Sequence, residues 1–154
     1  LRIMKQSDIG AFGVIAILVV VLIQWNAISS VFPTHAWLVF PIVGMVSRTA
    51  PLVVMVLTSY VSSSGLGRSY ANLPKPAIFI VLALVFASAF SFDGLFAIWT
   101  VIAGFIAAGI VGLIAKRRIG GANGDVYGAS VEIASVASLV IAVMFFDDLY
   151  IMTM

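Results

Sequence analysis

Residues 120–132 read GGANGDVYGASVE and follow three consecutive cations, Lys116, Arg117 and Arg118. On a helix, positions i, i+3, i+4 and i+7 share one face. Asp125, Gly128, Ala129 and Glu132 therefore make a stripe with a carboxylate at each end and small residues between. Such a pair suits Mg²⁺, which takes one or two carboxylates and fills its shell with phosphate oxygens and water. Gly120, Gly121 and Gly124 let a ligand approach the backbone closely. The N-terminus of the helix that follows offers N–H groups to an anion. Asp125 taken alone also suits a helix N-cap, and Glu132 also suits a polar partner inside a bundle. As a pair they read as a metal or phosphate site, because ionisable groups in apolar spans mark function by default.

Other residues add to this chemistry. Arg48 lies in the middle of an apolar run. An arginine there costs about 3 kcal/mol or more to insert, so it must face the bundle or a polar cavity. Its planar fork suits a phosphate oxygen, and a carboxylate such as Glu132 would neutralise it equally well. Asp8, beside Ser7, suits an N-cap. Gly65 and Gly67 flank Leu66 in a short turn that lacks the Lys-Ser/Thr of a nucleotide-binding loop. The chain has no Cys and one His, His35. Disulfides, thiolate metal sites and thiol catalysis are excluded, and a His cluster or serine–histidine triad is disfavoured.

The elements that position these groups must be membrane spans. Hydrophobic residues make up 63% of the chain and charged residues 9%, against about 25% charged in a soluble domain. The composition predicts one all-α, polytopic integral membrane bundle in contact with the lipid bilayer. About five transmembrane helices are expected, at 11–31, 36–60, 77–92, 95–115 and 126–146, with the third the shortest. No period-2 alternation supports a barrel. The net charge of +2 points to no nucleic-acid partner, and the oligomeric state is not readable.

Alternating the five spans puts every loop cation on one side: Arg2 and Lys5, Arg68 and Lys75, then Lys116 to Arg118. The positive-inside rule makes that side cytoplasmic. Three Gly-containing polar segments, at 7–10, 62–68 and 120–132, then meet on one surface. Gly104, Ala107, Ala108 and Gly112 make a small-residue stripe for close helix packing. Trp25, Trp37 and Trp99 suit interfacial or packing positions. The chain begins at Leu1 without a signal-peptide pattern, so an N-terminal portion is expected to be missing.

Taken together, IMKQSDIGAFGV at 3–14, SGLG at 64–67 and GGANGDVYGASVE at 120–132 resemble the cobalamin synthase family, the adenosylcobinamide-GDP ribazoletransferases. The VSRTAPLVVM stretch around Arg48 also looks like that family's Ser-Arg helix. The resemblance implies a membrane transferase that joins adenosylcobinamide-GDP to α-ribazole or its 5′-phosphate and releases GMP. It implies Mg²⁺, with Asp125 and Glu132 as ligands and Arg48 on a phosphate. Gly120, Gly121, Asn123, Gly124, Gly128, Gly65, Gly67 and Asp8 would line the substrate. The chain departs from the pattern at Gln6, Asp8, Ser62, Ser64 and Asn123. An upstream Asp-rich motif that the family is expected to add to the metal site is absent, so this portion alone is expected to lack part of the active site. Two rival readings are a transporter or channel fragment, which needs polar groups across the full membrane depth, and a non-catalytic membrane subunit.

Overall fold

The computed structural model describes residues 10–31, 39–61 and 73–152. Four helical elements make up these residues: α1 (Ala11–Val31), α2 (Val39–Leu57), α3 (Lys75–Ile119) and α4 (Gly124–Met152). The all-α expectation holds. Among the described residues, the only strand-like pairing is one parallel bridge between Tyr60 and Ala122. Four stretches are long and apolar enough to cross a membrane: Ala11–Val31, Val39–Leu57, Gly94–Ile119 and Gly124–Phe145. The protein is a multi-pass membrane bundle.

The sequence reading put two separate spans at 77–92 and 95–115. Instead, helical structure runs unbroken from Lys75 to Ile119. The run is nevertheless bent back on itself. A straight helix would hold Phe86 and Phe105 about 28 Å apart, yet their rings meet edge to face with centroids 5.7 Å apart. The corner is Gly94, whose φ of +58° is left-handed, a conformation that costs a residue with a Cβ about 1–2 kcal/mol. The first arm, Lys75–Ser91, is about 25 Å long and falls short of a 30 Å hydrocarbon core.

The core is built from small contacts. Ile42 and Val46 of α2 pack on Val85 and Ala89 of the first α3 arm and on Ala97 and Val101 of the second. Ala50, Ala108 and Ala134 join α2, α3 and α4 at one point. The small-residue stripe behaves as expected. A Cβ on Gly104 would run into the Ser138 hydroxyl and a Val46 methyl, and one on Gly112 would press on Val54 at 3.3 Å. Lipid tails are as apolar as Leu, so such close approach, rather than a hydrophobic drive, holds membrane helices together.

α1 stands apart. It buries only Ala27 and Val31, which pack near Leu139 and Ala142 of α4 and Val39 and Val43 of α2. Phe12 is 89% exposed and Trp25 72%. Positions rise together along α1 and α4, so the two helices run parallel and begin at the same end of the bundle. That end also receives the C-terminus of α2, both ends of the α3 hairpin and the 120–123 turn.

Candidate active site

The turn between α3 and α4 is held by four local devices. Gly120 ends α3 with φ +81°, and its N–H donates to the Lys116 carbonyl, a left-handed cap that glycine makes at least cost. Gly121 lies so close to the end of α2 that a Cβ there would fall on the Ser59 carbonyl oxygen and the Val61 side chain. Ala122 donates its N–H to Ser59 O at 2.9 Å and accepts from Val61 N at 2.9 Å. The Lys116 ammonium donates to Leu57 O at 3.3 Å. Tyr60 and Tyr127 stack beside this seam, 6.0 Å between centroids. Gly121→Ala is therefore expected to unseat the turn, because its obstacle is backbone rather than a movable side chain. The variant should lose about 1–3 kcal/mol of stability, read as a lower melting temperature in detergent, whereas Gly128→Ala, with open space beside it, should melt like the parent.

Asn123 sits just before α4, and its Oδ1 accepts the Val126 N–H at 3.0 Å. The N-cap is thus Asn123, not Asp125 as the sequence allowed. Asp125 is two residues further in, in the first turn, exposed, and accepts a 3.3 Å hydrogen bond from Asn123 Nδ2. Asp125 borders a hollow of about 390 Å³ whose walls, which include Val111, Ile114, Val126 and Ala129, are almost wholly apolar.

Glu132 lies two turns deeper on the same face. Asp125, Gly128, Ala129 and Glu132 are all exposed, so the stripe exists on an open face of α4. Glu132 finds a polar partner on another helix of the bundle, at the exposed face rather than in the core. It accepts a 3.1 Å hydrogen bond from Gln24 Nε2 of α1. Side chains on a helix lean toward its N-terminus, and the two acids engage different partners. Among the described residues neither forms an ion pair, and no three His, Asp or Glu side chains gather where they could hold a metal.

Arg48 corrects a sequence expectation. It is exposed on α2, opposite the stripe Val39, Val46 and Ala50 that α2 buries. It faces neither the bundle nor Glu132, although both lie about 12–14 Å along their helices from the common end. Among the described residues it has no hydrogen-bond or ion-pair partner. Gly124 and Gly128 have open space beside them, whereas the fold itself accounts for Gly120, Gly121 and Asn123. Asp8, Gly65 and Gly67 lie outside the described residues.

Gln24 is the residue that sequence reasoning passed over. Its signal was present, an amide in an otherwise apolar run, matched by an acid in another. If Glu132 acts in the chemistry, Gln24 positions it. Gln24→Leu is expected to lower activity about 10–100-fold, the usual effect of losing an orienting partner, while Gln24→Asn, whose amide stops one methylene short, should restore only part. Equal activity in all three forms would remove Gln24 from the site.

A family model described as cobalamin-5-phosphate synthase matches residues 1–143. The chain belongs to this family. The adenosylcobinamide-GDP ribazoletransferase of Acinetobacter baumannii (strain ACICU) is 33% identical over 136 residues, which is 86% of this chain and 54% of the relative. The enzyme of the same name from Stutzerimonas stutzeri (strain A1501) is 30% identical over 145 residues, 91% of this chain and 57% of that one. A third, from Brevibacillus brevis, is 31% identical over 147 residues, 93% and 59%. This member of the cobalamin-5-phosphate synthase family thus spans somewhat over half the length of these relatives. No solved structure gives a significant match to it.

Proposed function

We propose that the chain forms a membrane-embedded part of an adenosylcobinamide-GDP ribazoletransferase. In this reading a hydroxyl of α-ribazole, or of its 5′-phosphate, attacks the corrinoid-side phosphorus of adenosylcobinamide-GDP. The new P–O bond completes the nucleotide loop and GMP leaves. The observation that carries the reading is the family match over 1–143, which includes the whole glycine and acid motif now seen at one end of the bundle.

The residues fit Mg²⁺. Asp125 and Glu132 offer hard oxygen donors, neither is neutralised by a described cation, and the ion needs only one or two carboxylates when substrate phosphates complete its shell. Bound there, the ion would offset charge on the diphosphate. The chain's own contribution is placement. Asn123 donates to the exposed Asp125 carboxylate in the first turn of α4, Arg118 is on the neighbouring end of α3, and Gly124 and Gly128 leave the approach clear. Loop cations gathered at this end support a cytoplasmic active face in the cell's inner membrane.

The transport reading is weakened by the bundle interior. Its buried polar residues are Ser47, Thr100, Ser130 and Ser138. Each donates its hydroxyl to a backbone carbonyl, at 2.7–3.3 Å. Among the described residues no charged group lies buried between the helices to carry an ion. The transferase reading is tested with a chimera in which this chain replaces the matching region of the A. baumannii relative. GMP release from adenosylcobinamide-GDP, dependent on α-ribazole and Mg²⁺, is expected. A folded, membrane-inserted chimera that releases no GMP would overturn it.

A further inference from the structure

One face of α2 is left uncovered. Pro41, Gly44 and Arg48 are exposed, and their spacing of three and four residues sets them on one side of the helix. Val46, Ala50 and Val54 are buried on the other side. Arg48 is the tenth of the nineteen residues of α2, as far from both ends as the span allows. Long cations reach the interface from near helix ends, whereas a central arginine facing hydrocarbon is costly. Among the described residues Arg48 has no hydrogen-bond or ion-pair partner. The acids whose side chains are described lie elsewhere: Asp125 beside Asn123 in the first turn of α4, and Glu132 on Gln24 of α1. One turn from Arg48, a Cβ on Gly44 would meet nothing within 4 Å, so the α2 backbone is open to close approach by another helix.

We propose that this face receives a transmembrane helix carrying an Asp or Glu at the depth of Arg48, supplied by the part of the full-length protein that lies outside this chain. Charge selects the partner. Cations inside a membrane pair with acids or backbone carbonyls, and the guanidinium fork takes both oxygens of a carboxylate at once. The occupant is a helix, because any other lipid-exposed backbone at that depth would leave its polar groups unsatisfied. Length supplies the source. The match covers 54% of the A. baumannii relative and 59% of the Brevibacillus brevis one, so more than two-fifths of each lies outside it. Gly44 lets the incoming helix sit close enough for the pair to form. The proposal rests on the family match and not on the transferase reading.

The test uses the chimera in which this chain replaces the matching region of the A. baumannii relative. A benzophenone side chain installed at Gly44 is irradiated in membranes, and the product is mapped by mass spectrometry. A cross-link within one molecule is expected, to a span of the relative's own portion that carries an Asp or Glu within a turn of the linked residue. Adducts with lipid alone, cross-links joining two copies, or a linked span without an acid overturn the proposal. Arg48→Leu is then expected to lower the melting temperature, because it strands a buried carboxylate. Losing one partner of such a pair shifts the folded-to-unfolded ratio by about 100-fold or more. Changing the linked acid to Leu in the same molecule should recover most of that loss, and the double variant decides even where Arg48→Leu alone yields no folded protein. At a lipid-facing site Arg48→Leu would instead raise the melting temperature, because Leu is far the better residue in hydrocarbon. An unchanged or higher melting temperature, or a double variant no more stable than the single, overturns the pairing. Neither readout involves GMP release, so an inactive chimera leaves the test intact.

Discussion

Asp125→Asn in the chimera is expected to lower the rate of GMP release by about 100-fold, the scale on which removing one charge-stabilising group from a reaction centre acts, and to raise the Mg²⁺ concentration needed for half-maximal rate. The structure separates this effect from folding. The α4 cap belongs to Asn123, whose bond to the Val126 N–H does not involve Asp125. Asn has the shape of Asp and forfeits only the favourable placement of an acid in a first helical turn, about 0.3–1 kcal/mol. Melting temperature should therefore move little while the rate collapses. A structural role for Asp125 predicts the reverse, a lower melting temperature with unchanged Mg²⁺ dependence. The same rate and the same Mg²⁺ requirement in both forms would remove Asp125 from the metal site.

Much of the fold was legible in the chain. The three outer spans follow from apolar length alone, and α1 matches its expected bounds at both ends. The stripe of Gly104, Ala108 and Gly112 was legible because only small residues permit helices to touch. The gathering of polar segments at one end was legible in part: α1, α2, α3 and α4 all meet there, while residues 7–9 and 62–68 of two of those segments lie outside the described set. The hairpin was readable as two spans, but not the tightness of its corner, because a helical hydrogen-bond pattern can continue up to a single left-handed Gly94.

The candidate site was harder to read, for a physical reason. Helical spacing tells which residues share a face, and it placed Asp125 and Glu132 correctly on one stripe. It cannot tell what lies across from that face. Arg48 was expected to turn inward because an unpaired charge is costly in lipid, yet the inward positions of α2 are filled by Val46, Ala50 and Val54 packed against α3 and α4. Glu132 finds an amide of α1, a contact 108 residues away in sequence that no local pattern encodes. Two of the glycines that suggested a phosphate cradle, Gly120 and Gly121, answer to backbone demands of the turn. The acids and the open flank beside Gly124 and Gly128 are what remains for chemistry.

The stripe itself carries the largest effect on stability. Gly104 sits where side chains of α2 and α4 crowd against α3. A Cβ there would strike the Ser138 Oγ and Val46 Cγ1, with the Ala134 carbonyl at 3.2 Å behind them. Ser138 cannot simply turn away, because its hydroxyl is buried and donates to Thr100 O at 3.0 Å. Gly104→Ala is therefore expected to cost about 2 kcal/mol or more, in the range for overfilling a packed core, despite the gain of up to about 1 kcal/mol that Ala brings to a helix. Gly104→Leu should leave no monodisperse protein after extraction. Gly109→Ala is the internal control. It lies five residues along the same helix, where a Cβ would rest 3.5 Å from Leu57, an ordinary contact, so it should melt at or above the parent temperature. The cause can be isolated by pairing Gly104→Ala with Val46→Ala. If the collision is what destabilises, the double variant should be more stable than the sum of the singles predicts, by about 0.5–3 kcal/mol for residues in contact. A Gly104→Ala variant that melts like the parent would show that the three helices do not meet there, and the placement of the α4 acids would lose its support.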